Sequence, residues 1–187
     1  MEPSVSPQDF AQVIGTAGRD VLFGSDLNSQ IFGLQGRDFL VGGSGIDRFV
    51  YTALVDGPDV IQNFEIGNDQ IDLHQLLAGI DYFGNTPFVD GVIQVSNSRG
   101  SAVVSIDADG FSGSSRARAF ILMQGIQAEE LLSDPRHFIL NPELPDLNLA
   151  AGLTEDTGVS ATDGITANPS VLGTIDQPAA VEQLLAN

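Results

Sequence analysis

The 187-residue chain has a formal net charge of −18 at pH 7, and its seven basic residues are all arginine. Proteins that bind nucleic acid or anionic membrane surfaces carry basic patches, so this charge argues against both classes of partner. The chain has no cysteine, which excludes disulfides, cysteine-ligated zinc and thiol catalysis. No apolar run approaches a membrane span, and the N-terminal sequence lacks the basic and apolar regions of a cleaved signal peptide. We therefore expect no membrane insertion and, if the protein is exported, a route without a cleaved N-terminal signal.

The first fourteen residues precede the patterned part of the chain. Residues 1–9 contain proline and serine and are predicted to be a flexible lead-in. The apolar run Phe10–Ile14 is predicted to cover the first end of a repeat array, because an end unit otherwise exposes its core. We assign residues 1–14 to a lead-in and N-terminal cap.

Residues 15–50 divide into four blocks of nine: GTAGRDVLF, GSDLNSQIF, GLQGRDFLV and GGSGIDRFV. Every block opens with Gly, three carry Gly at place four and Asp at place six, and all have a large apolar residue at place eight. This is the nonapeptide pattern of a calcium-binding parallel β-roll. The first six residues turn sharply and the last three form a strand, so place eight points inward. The residues at place eight are Leu22, Ile31, Leu40 and Phe49.

Two repeats make one coil, so turns one and three stack on one edge of the roll and turns two and four on the other. Stacked carboxylates lie about one strand spacing apart, roughly 4.8 Å, where they repel unless Ca²⁺ lies between them. Asp20 and Asp38 share the first edge and predict the best site. The second edge pairs Asp47 with Ser29, in a turn where Leu27 replaces Gly, so we predict a weaker or empty site there.

The residues at place nine are also apolar in every block. Because they point away from the inside of the roll, we predict that flanking segments cover them. They are Phe23, Phe32, Val41 and Val50.

The repeats and the segment that follows them resemble RTX (repeats-in-toxin) proteins, the hemolysin-type calcium-binding repeat proteins of type I secretion. After the last repeat, DRFVYTALVDGPDVIQNFEIGNDQIDLHQLL is similar to the family patterns D-x-F-V-Y, D-x-I-x-x-F and G-x-D-x-I-D-L. The closing pattern of the family matches Leu122, Gly125 and the run Phe138 to Leu140. The resemblance covers about residues 13–140.

The resemblance implies calcium ligands at places two, four and six of one turn and places one, three and six of the turn two repeats later, mostly through backbone oxygens. The first site would use Thr16, Gly18, Asp20, Gly33, Gln35 and Asp38. The second would use Ser25, Leu27, Ser29, Gly42, Ser44 and Asp47. Further sites would pair Asp38 with Asp59 and Asp47 with Asp69. The alternative for Asp59 and Asp69 is an ordinary turn-forming or capping role.

Residues 51–140 are predicted to form a β-rich cap on the roll, with short strands at 60–64, 70–73, 92–95, 102–106, 119–122 and 137–140. A short helix is expected after Asp72 as N-cap, closed by Gly79, and a helical turn at 128–132. The run Asp107 to Gly110 is similar to the start of an EF-hand loop but lacks its later ligands, so an ordinary turn is predicted. The fold class is all-β: a short parallel β-roll capped by a β-rich subdomain with one or two short helices.

Residues 141–187 have no aromatic and no basic residue, which predicts a flexible tail or linker. Part of this segment resembles the first strand of bacterial Ig-like modules found in large surface adhesins. Because a complete module needs about a hundred residues, only a partial Ig-like fragment fits.

Nothing in the sequence predicts an enzyme. The chain has no H-E-x-x-H, G-x-S-x-G or phosphate-binding glycine motif. Its two histidines, His74 and His137, have no partner motif, so we expect both to be surface residues.

The sequence thus predicts a secreted calcium-binding module that folds when it meets extracellular calcium. Its partners would be calcium ions, the type I secretion machinery and an unspecified cell-surface or matrix partner. The alternatives are a fragment of a large modular surface adhesin, the non-catalytic export module of a secreted hydrolase, or an acidic β-protein with no role for metal.

Overall fold

The computed structural model describes residues 10–141. The predicted lead-in at residues 1–9 lies outside the described residues. The same holds for the predicted tail or Ig-like fragment, apart from Asn141.

The repeat strands alternate between two parallel sheets, which confirms the predicted roll. One sheet has the strand order β1-β3-β5-β7-β11, and the other begins β2-β4-β6. Strands two repeats apart pair in register: Val21 lies opposite Phe39, and Ser29 lies opposite Asp47. The strands up to residue 72 are β1 (Ala11–Ile14), β2 (Val21–Phe23), β3 (Ser29–Phe32), β4 (Phe39–Val41), β5 (Asp47–Val50), β6 (Asp59–Gln62) and β7 (Gln70–Asp72).

Strand β1 lies at the first end of the roll. It pairs in parallel with β3, with Ala11 opposite Ser29, and Val13 packs against the core. The edge of β3 presents backbone N–H and C=O groups that need partners, and an extended apolar segment satisfies them as a further strand. β1 and β2 are therefore the edge strands of the two sheets at the first end of the roll.

The two sheets continue beyond the repeats. Phe39 of β4 lies opposite Val60 of β6, and Arg48 of β5 lies opposite Gln70 of β7. Residues 51–72 thus complete a third coil whose turns are longer than those of the repeats.

The rest of the cap is an antiparallel meander of β8 (Ile93–Ser98), β9 (Ser101–Ile106) and β10 (Arg118–Met123), as predicted. The sequence did not predict how it joins the roll: β10 pairs in parallel with β6, and β11 (Phe138–Ile139) pairs in parallel with β7. There are two short α-helices among the described residues. In the chain, α1 (His74–Gly79) follows β7 and α2 (Ala128–Leu131) follows β10.

The start of α1 corrects the predicted cap. Leu73, not Asp72, occupies the N-cap position, because Asp72 is still the last residue of β7. The Asp72 carboxylate nevertheless accepts a hydrogen bond from the backbone N–H of His74 at 3.2 Å and contacts the His74 ring. The acidic loop after β9 continues into a short 3-10 helix at Gly110–Ser112, and Asp109 accepts hydrogen bonds from the N–H groups of Ser114 and Ser115.

The inside of the roll is filled by the place-eight residues, of which Ile31, Leu40 and Phe49 are fully buried. Burial of such a side chain contributes about 1.5–3 kcal/mol. The prediction that flanking segments cover the place-nine residues holds for Val50, which is 4% exposed, and is wrong for Phe23, which is 64% exposed. Phe23 lies on β2, an edge strand of its sheet.

Candidate metal sites

Three aspartates form a stack along the first edge of the roll. Asp38 Oδ1 accepts a hydrogen bond from the backbone N–H of Asp20 at 2.8 Å, and Asp59 Oδ1 accepts one from Asp38 at 2.8 Å. Asp38 and Asp59 are both buried. Their second oxygens, Oδ2 of Asp38 and Oδ2 of Asp59, have no hydrogen-bond partner. Buried acceptors without a partner are rare in native proteins, and an ion is one of the few explanations for them.

The two unpartnered oxygens converge on Gly33. A Cβ atom built on Gly33 would lie 2.8 Å from Asp38 Oδ2 and 3.2 Å from Asp59 Oδ2. The absence of a side chain at this position therefore leaves a space lined by two carboxylate oxygens. Calcium prefers such hard oxygen ligands, at about 2.3–2.6 Å.

Oxygens also converge between turns one and three, at the first predicted site. The Gly33 carbonyl oxygen and Asp20 Oδ2 lie 2.6 Å and 2.9 Å from the position of a Cβ on Gly15. A Cβ on Gly36 would collide with the Gly18 carbonyl oxygen and lie 2.8 Å from Asp38 Oδ1. The structure thus places the carbonyls of Gly18 and Gly33 beside the two carboxylates.

The other two residues predicted for the first site, Thr16 and Gln35, lie in different surroundings. Thr16 is tied to the first carboxylate, because its backbone N–H and its hydroxyl both donate to Asp20 Oδ2, at 2.6 Å and 2.9 Å. Gln35 is exposed at its turn.

The second edge is different where Ser29 replaces Asp. The backbone N–H of Ser29 donates to Asp47 Oδ1 at 3.0 Å, so the stacking is preserved. The Ser29 hydroxyl accepts a hydrogen bond from Ser25 N–H at 2.9 Å and lies 3.2 Å from the Leu27 carbonyl oxygen. A neutral hydroxyl satisfied by its own turn stands where the first edge has a carboxylate.

The backbone between turns two and four also presents a donor rather than an oxygen. The atom nearest to a Cβ on Gly24 is the Gly43 nitrogen, at 2.8 Å, and the N–H of Gly43 donates to Asp47 Oδ2 at 2.6 Å. The corresponding position at Gly15 has a carbonyl oxygen. Ser44 donates its N–H to the Ser25 carbonyl oxygen, so that oxygen already has a hydrogen-bond donor. The Gly43 contact alone does not separate the two edges, because Thr16 N–H donates to Asp20 Oδ2 in the same way at 2.6 Å. The Gly33 carbonyl oxygen beside Gly15 and the carboxylate missing at Ser29 favour a metal at the first edge over the second.

A further group of oxygens lies on the second edge, between turn four and the loop that precedes β7. A Cβ on Gly42 would lie 2.9 Å from the Asn63 carbonyl oxygen, 3.1 Å from Asp47 Oδ2 and 3.4 Å from Asp69 Oδ2. Asn63 was not predicted from the sequence. Its positive φ of 58° is a conformation in which Asn is enriched, but that preference alone does not point to a metal. Asp69 Oδ2 also accepts a hydrogen bond from Glu65 N–H at 2.8 Å.

Burial raises the pKa of all four stacked carboxyls that lie inside the turns. The effect is largest for Asp59, where burial and the charge of Asp38 raise the pKa to about 7. Burial raises the pKa of Asp69 to about 6, with a contribution from the charge of Asp47. The pKa values of Asp38 and Asp47 are also raised, mainly by burial. Burial therefore disfavours the ionised forms of these carboxyls, and a bound cation would relieve that cost.

The arrangement fits calcium better than a transition metal. Among residues 10–141, no group of three or more His, Cys, Asp or Glu side chains could hold a metal ion. The space beside Gly33 is lined by two carboxylate oxygens, and the groups of oxygens at Gly15, Gly36 and Gly42 combine carboxylates with backbone carbonyls. An oxygen-only set of this kind is suited to calcium, whereas zinc takes nitrogen and sulfur ligands.

The histidines do not contribute to these sites. The prediction that His137 is a surface residue is wrong: it is 1% exposed, contacts the Leu131 carbonyl oxygen at 2.8 Å and accepts a hydrogen bond from Gly67 N–H at 2.8 Å. Its ring also packs edge-on against Phe64. His74, beside Asp72, is partly exposed. His137 holds the loop before β7 against the C-terminal segment.

Comparisons with known proteins agree with the repeat pattern. A family model described as the RTX calcium-binding nonapeptide repeat matches four copies over residues 14–49. No curated protein sequence matches the chain. The part of the chain that the structure describes has no helix long and apolar enough to cross a membrane.

Two solved structures from the mannuronan C5-epimerase of Azotobacter vinelandii are similar to this chain. The AlgE6R3 subunit is 22% identical, with 89% of this chain and 93% of that chain covered and a TM-score of 0.38. The AlgE6R2 subunit is 20% identical, with 75% and 98% covered and a TM-score of 0.39. On the family match and the register of the strands, residues 14–49 are four RTX calcium-binding nonapeptide repeats folded as a parallel β-roll.

Proposed function

We propose that this chain is a calcium-binding module whose folded state is completed by the ions held along its two stacks of acidic turns. The observation that carries the proposal is the pair of buried oxygens, Asp38 Oδ2 and Asp59 Oδ2, that have no hydrogen-bond donor and face one space beside Gly33. A buried carboxylate without a partner costs free energy, which a bound cation would convert into stabilisation.

The proposed ligands come from the turns of the roll. On the first edge, the carboxylates of Asp20 and Asp38 with the carbonyls of Gly18 and Gly33 would hold one ion. A second ion would lie between Asp38 and Asp59, and a third between Asp47 and Asp69. The bound calcium would supply positive charge between stacked carboxylates, while the backbone carbonyls would complete its oxygen ligands.

Calcium would also act as the trigger for folding. The net charge of −18 and the stacked carboxylates oppose a compact state in the absence of metal. Extracellular calcium modules bind with dissociation constants of about 10⁻⁴–10⁻³ M, so they fill outside the cell and not in the cytosol. We propose that the chain stays loose inside the cell, leaves by a type I secretion system and folds outside.

Circular dichroism with calcium and with EDTA tests this function. We expect a β-sheet spectrum in calcium, a smaller β-sheet signal in EDTA from the fraction of chains that still folds, and recovery of the full signal when calcium is restored. Asp38→Asn should raise the calcium concentration needed for recovery. Asp81→Asn is the matched control, because Asp81 is exposed, lies outside the turns and has a positive φ that Asn also tolerates. Identical spectra in calcium and EDTA would refute the proposal.

A further inference from the structure

A buried histidine ties the loop before β7 to the segment that closes the domain. His137 is 1% exposed, and each of its ring nitrogens has a backbone partner. Nδ1 lies 2.8 Å from the Leu131 carbonyl oxygen, and Nε2 accepts a hydrogen bond from the Gly67 N–H at 2.8 Å. A carbonyl oxygen can only accept and an amide N–H can only donate, so these contacts hold the ring as the neutral tautomer with its proton on Nδ1.

The loop that His137 contacts also directs the carboxylate of Asp69. Residues 65–69 form a closed turn, in which the N–H of Asp69 donates to the Glu65 carbonyl oxygen at 2.9 Å. In return, Asp69 Oδ2 accepts a hydrogen bond from the Glu65 N–H at 2.8 Å. Gly67 lies between these two residues in the turn, with a φ of 88° that favours glycine. A displacement of Gly67 would therefore displace the carboxylate.

The Asp69 carboxylate faces the ion that we propose for the second edge. Its Oδ1 accepts a hydrogen bond from the Asp47 N–H at 2.9 Å. Its Oδ2, Asp47 Oδ2 and the Asn63 carbonyl oxygen all lie within 3.4 Å of the position that a Cβ on Gly42 would take. Because both ring nitrogens of His137 are bonded elsewhere, the histidine can affect an ion among these oxygens only through the turn.

The orientation of the ring is set by the closing segment. The ring packs edge-on against Phe64, with ring centroids 5.8 Å apart. His137 is the last residue of a 3-10 turn that begins at Pro135, and the next residue, Phe138, lies opposite Ile71 of β7. A residue 70 positions away in the chain thus fixes the turn that carries a proposed ligand.

We propose that His137 is a positioning residue for the calcium ion between Asp47 and Asp69. By holding the turn at 65–69, it keeps the carboxylate of Asp69 in place before the ion binds, which reduces the cost of ordering a ligand. The inference rests on the proposed calcium-binding function. Because coupling between two sites is reciprocal, calcium at this site should in turn hold residues 131–139 against the roll.

Replacement of His137 tests the proposal through calcium affinity, measured by isothermal titration calorimetry. His137→Leu removes both ring hydrogen bonds, and we expect the affinity for one ion per chain to weaken by about tenfold, as when the bonding partner of a metal ligand is removed. His137→Gln supplies one acceptor and one donor and should recover most of the affinity. His74→Leu removes the other histidine and is the matched control, with unchanged affinity.

Two double variants separate positioning from general stabilisation of the fold. In an Asp69→Asn background, His137→Leu should have little further effect on calcium affinity, because the carboxylate that the ring positions is gone. In an Asp59→Asn background, which alters the other edge, the tenfold loss should persist. If circular dichroism shows that His137→Leu does not fold in saturating calcium, His137→Asn takes its place, since its side chain is too short to reach both backbone partners.

The outcomes distinguish the two proposals. If the wild-type chain binds no calcium, both the proposed function and this inference are wrong. If it binds calcium and His137→Leu keeps the wild-type affinity for every ion, the function stands and the inference is wrong. Equal losses of affinity in the Asp69→Asn and Asp59→Asn backgrounds would show that the ring only stabilises the fold. A His137→Gln protein as weak as His137→Leu would likewise overturn the inference.

Discussion

At the scale of single residues, the molecule holds like charges close together inside its turns. Asp38 and Asp59 are stacked through a backbone hydrogen bond, yet each keeps one buried oxygen without a donor. The pKa of Asp59, raised to about 7, reflects the same situation, because burial disfavours its ionised form and Asp38 adds repulsion. This pair should stabilise the protein with metal and destabilise it without.

Replacing Asp59 with Asn should therefore have opposite effects in the two conditions. The amide can donate to Asp38 Oδ2, so in EDTA we expect the free energy of unfolding to rise by about 1–3 kcal/mol, the cost of a buried unsatisfied acceptor. In calcium the same variant should be less stable than the wild type, because one charged ligand is lost. Urea unfolding in both buffers measures the change, with Asp81→Asn as control. A lower stability of Asp59→Asn in EDTA would contradict this view of the pair.

The sequence predicted some of these residues and missed others for physical reasons. Asp20, Asp38 and Asp47 recur at a fixed place in a fixed period, so their stacking follows from the period alone. Asn63 was missed, because its carbonyl oxygen lies beside the carboxylates of Asp47 and Asp69 only through the fold of the loop after β6. No short sequence pattern encodes that contact.

At the scale of elements, the four turns of the repeats are unequal. Turn two has Leu27 and Ser29 where the other turns have Gly and Asp, and its hydroxyl is satisfied by its own backbone. The strand that follows is nevertheless in register with β5, so only the metal-binding chemistry of the turn is altered.

Restoring the repeat pattern in turn two should add a calcium site. For the double variant Leu27→Gly with Ser29→Asp, we expect about one more ion per chain than for the wild type, because stacked carboxylates bracket calcium. Stability in EDTA should fall, since Ser29 is fully buried and its replacement adds a charge. Isothermal titration calorimetry measures the stoichiometry, and Leu27→Gly alone serves as the control. An unchanged number of ions in the double variant would show that the backbone of turn two prevents binding.

The strands of the repeats could be predicted because their period of nine sets where each turn and strand falls. The meander could be predicted as antiparallel because its apolar strands are separated by segments rich in turn residues. The attachment of the meander to the roll could not be predicted. β10 pairs with β6 and β11 with β7 across long stretches of chain, and parallel pairing of distant strands leaves no local sequence pattern. The burial of His137 was missed for the same reason, since Gly67 and His137 lie far apart in the sequence.

At the scale of the whole molecule, the question is whether calcium acts by specific ligation or by general neutralisation of a chain with a net charge of −18. Salt screens exposed charges over about 10 Å at 0.1 M but has little effect on buried pairs. Magnesium has the same charge as calcium but is smaller and keeps several of its waters. A comparison of calcium, magnesium and sodium chloride therefore separates specific ligation from general neutralisation of charge.

We expect calcium to raise the thermal unfolding midpoint far more than magnesium at the same concentration, and sodium chloride in EDTA to raise it least. Thermal unfolding followed by circular dichroism in the three buffers measures the order. The ionic strength should be matched with a monovalent salt as the control. Equal midpoints in magnesium and calcium would mean that neutralisation of the net charge, and not the geometry of the turns, stabilises the protein.

The parallel register of the roll also sets the increments in which such a molecule can lengthen. Aligned residues of successive repeat coils are 18 positions apart, and the cap continues both sheets through β6 and β7. Adding one whole coil would displace the cap by one strand spacing, about 4.8 Å, and leave its contacts intact. Adding a single nonapeptide would instead exchange the two sheets, so that the strand meeting β6 would come from the wrong side. The roll can therefore lengthen only by whole pairs of repeats.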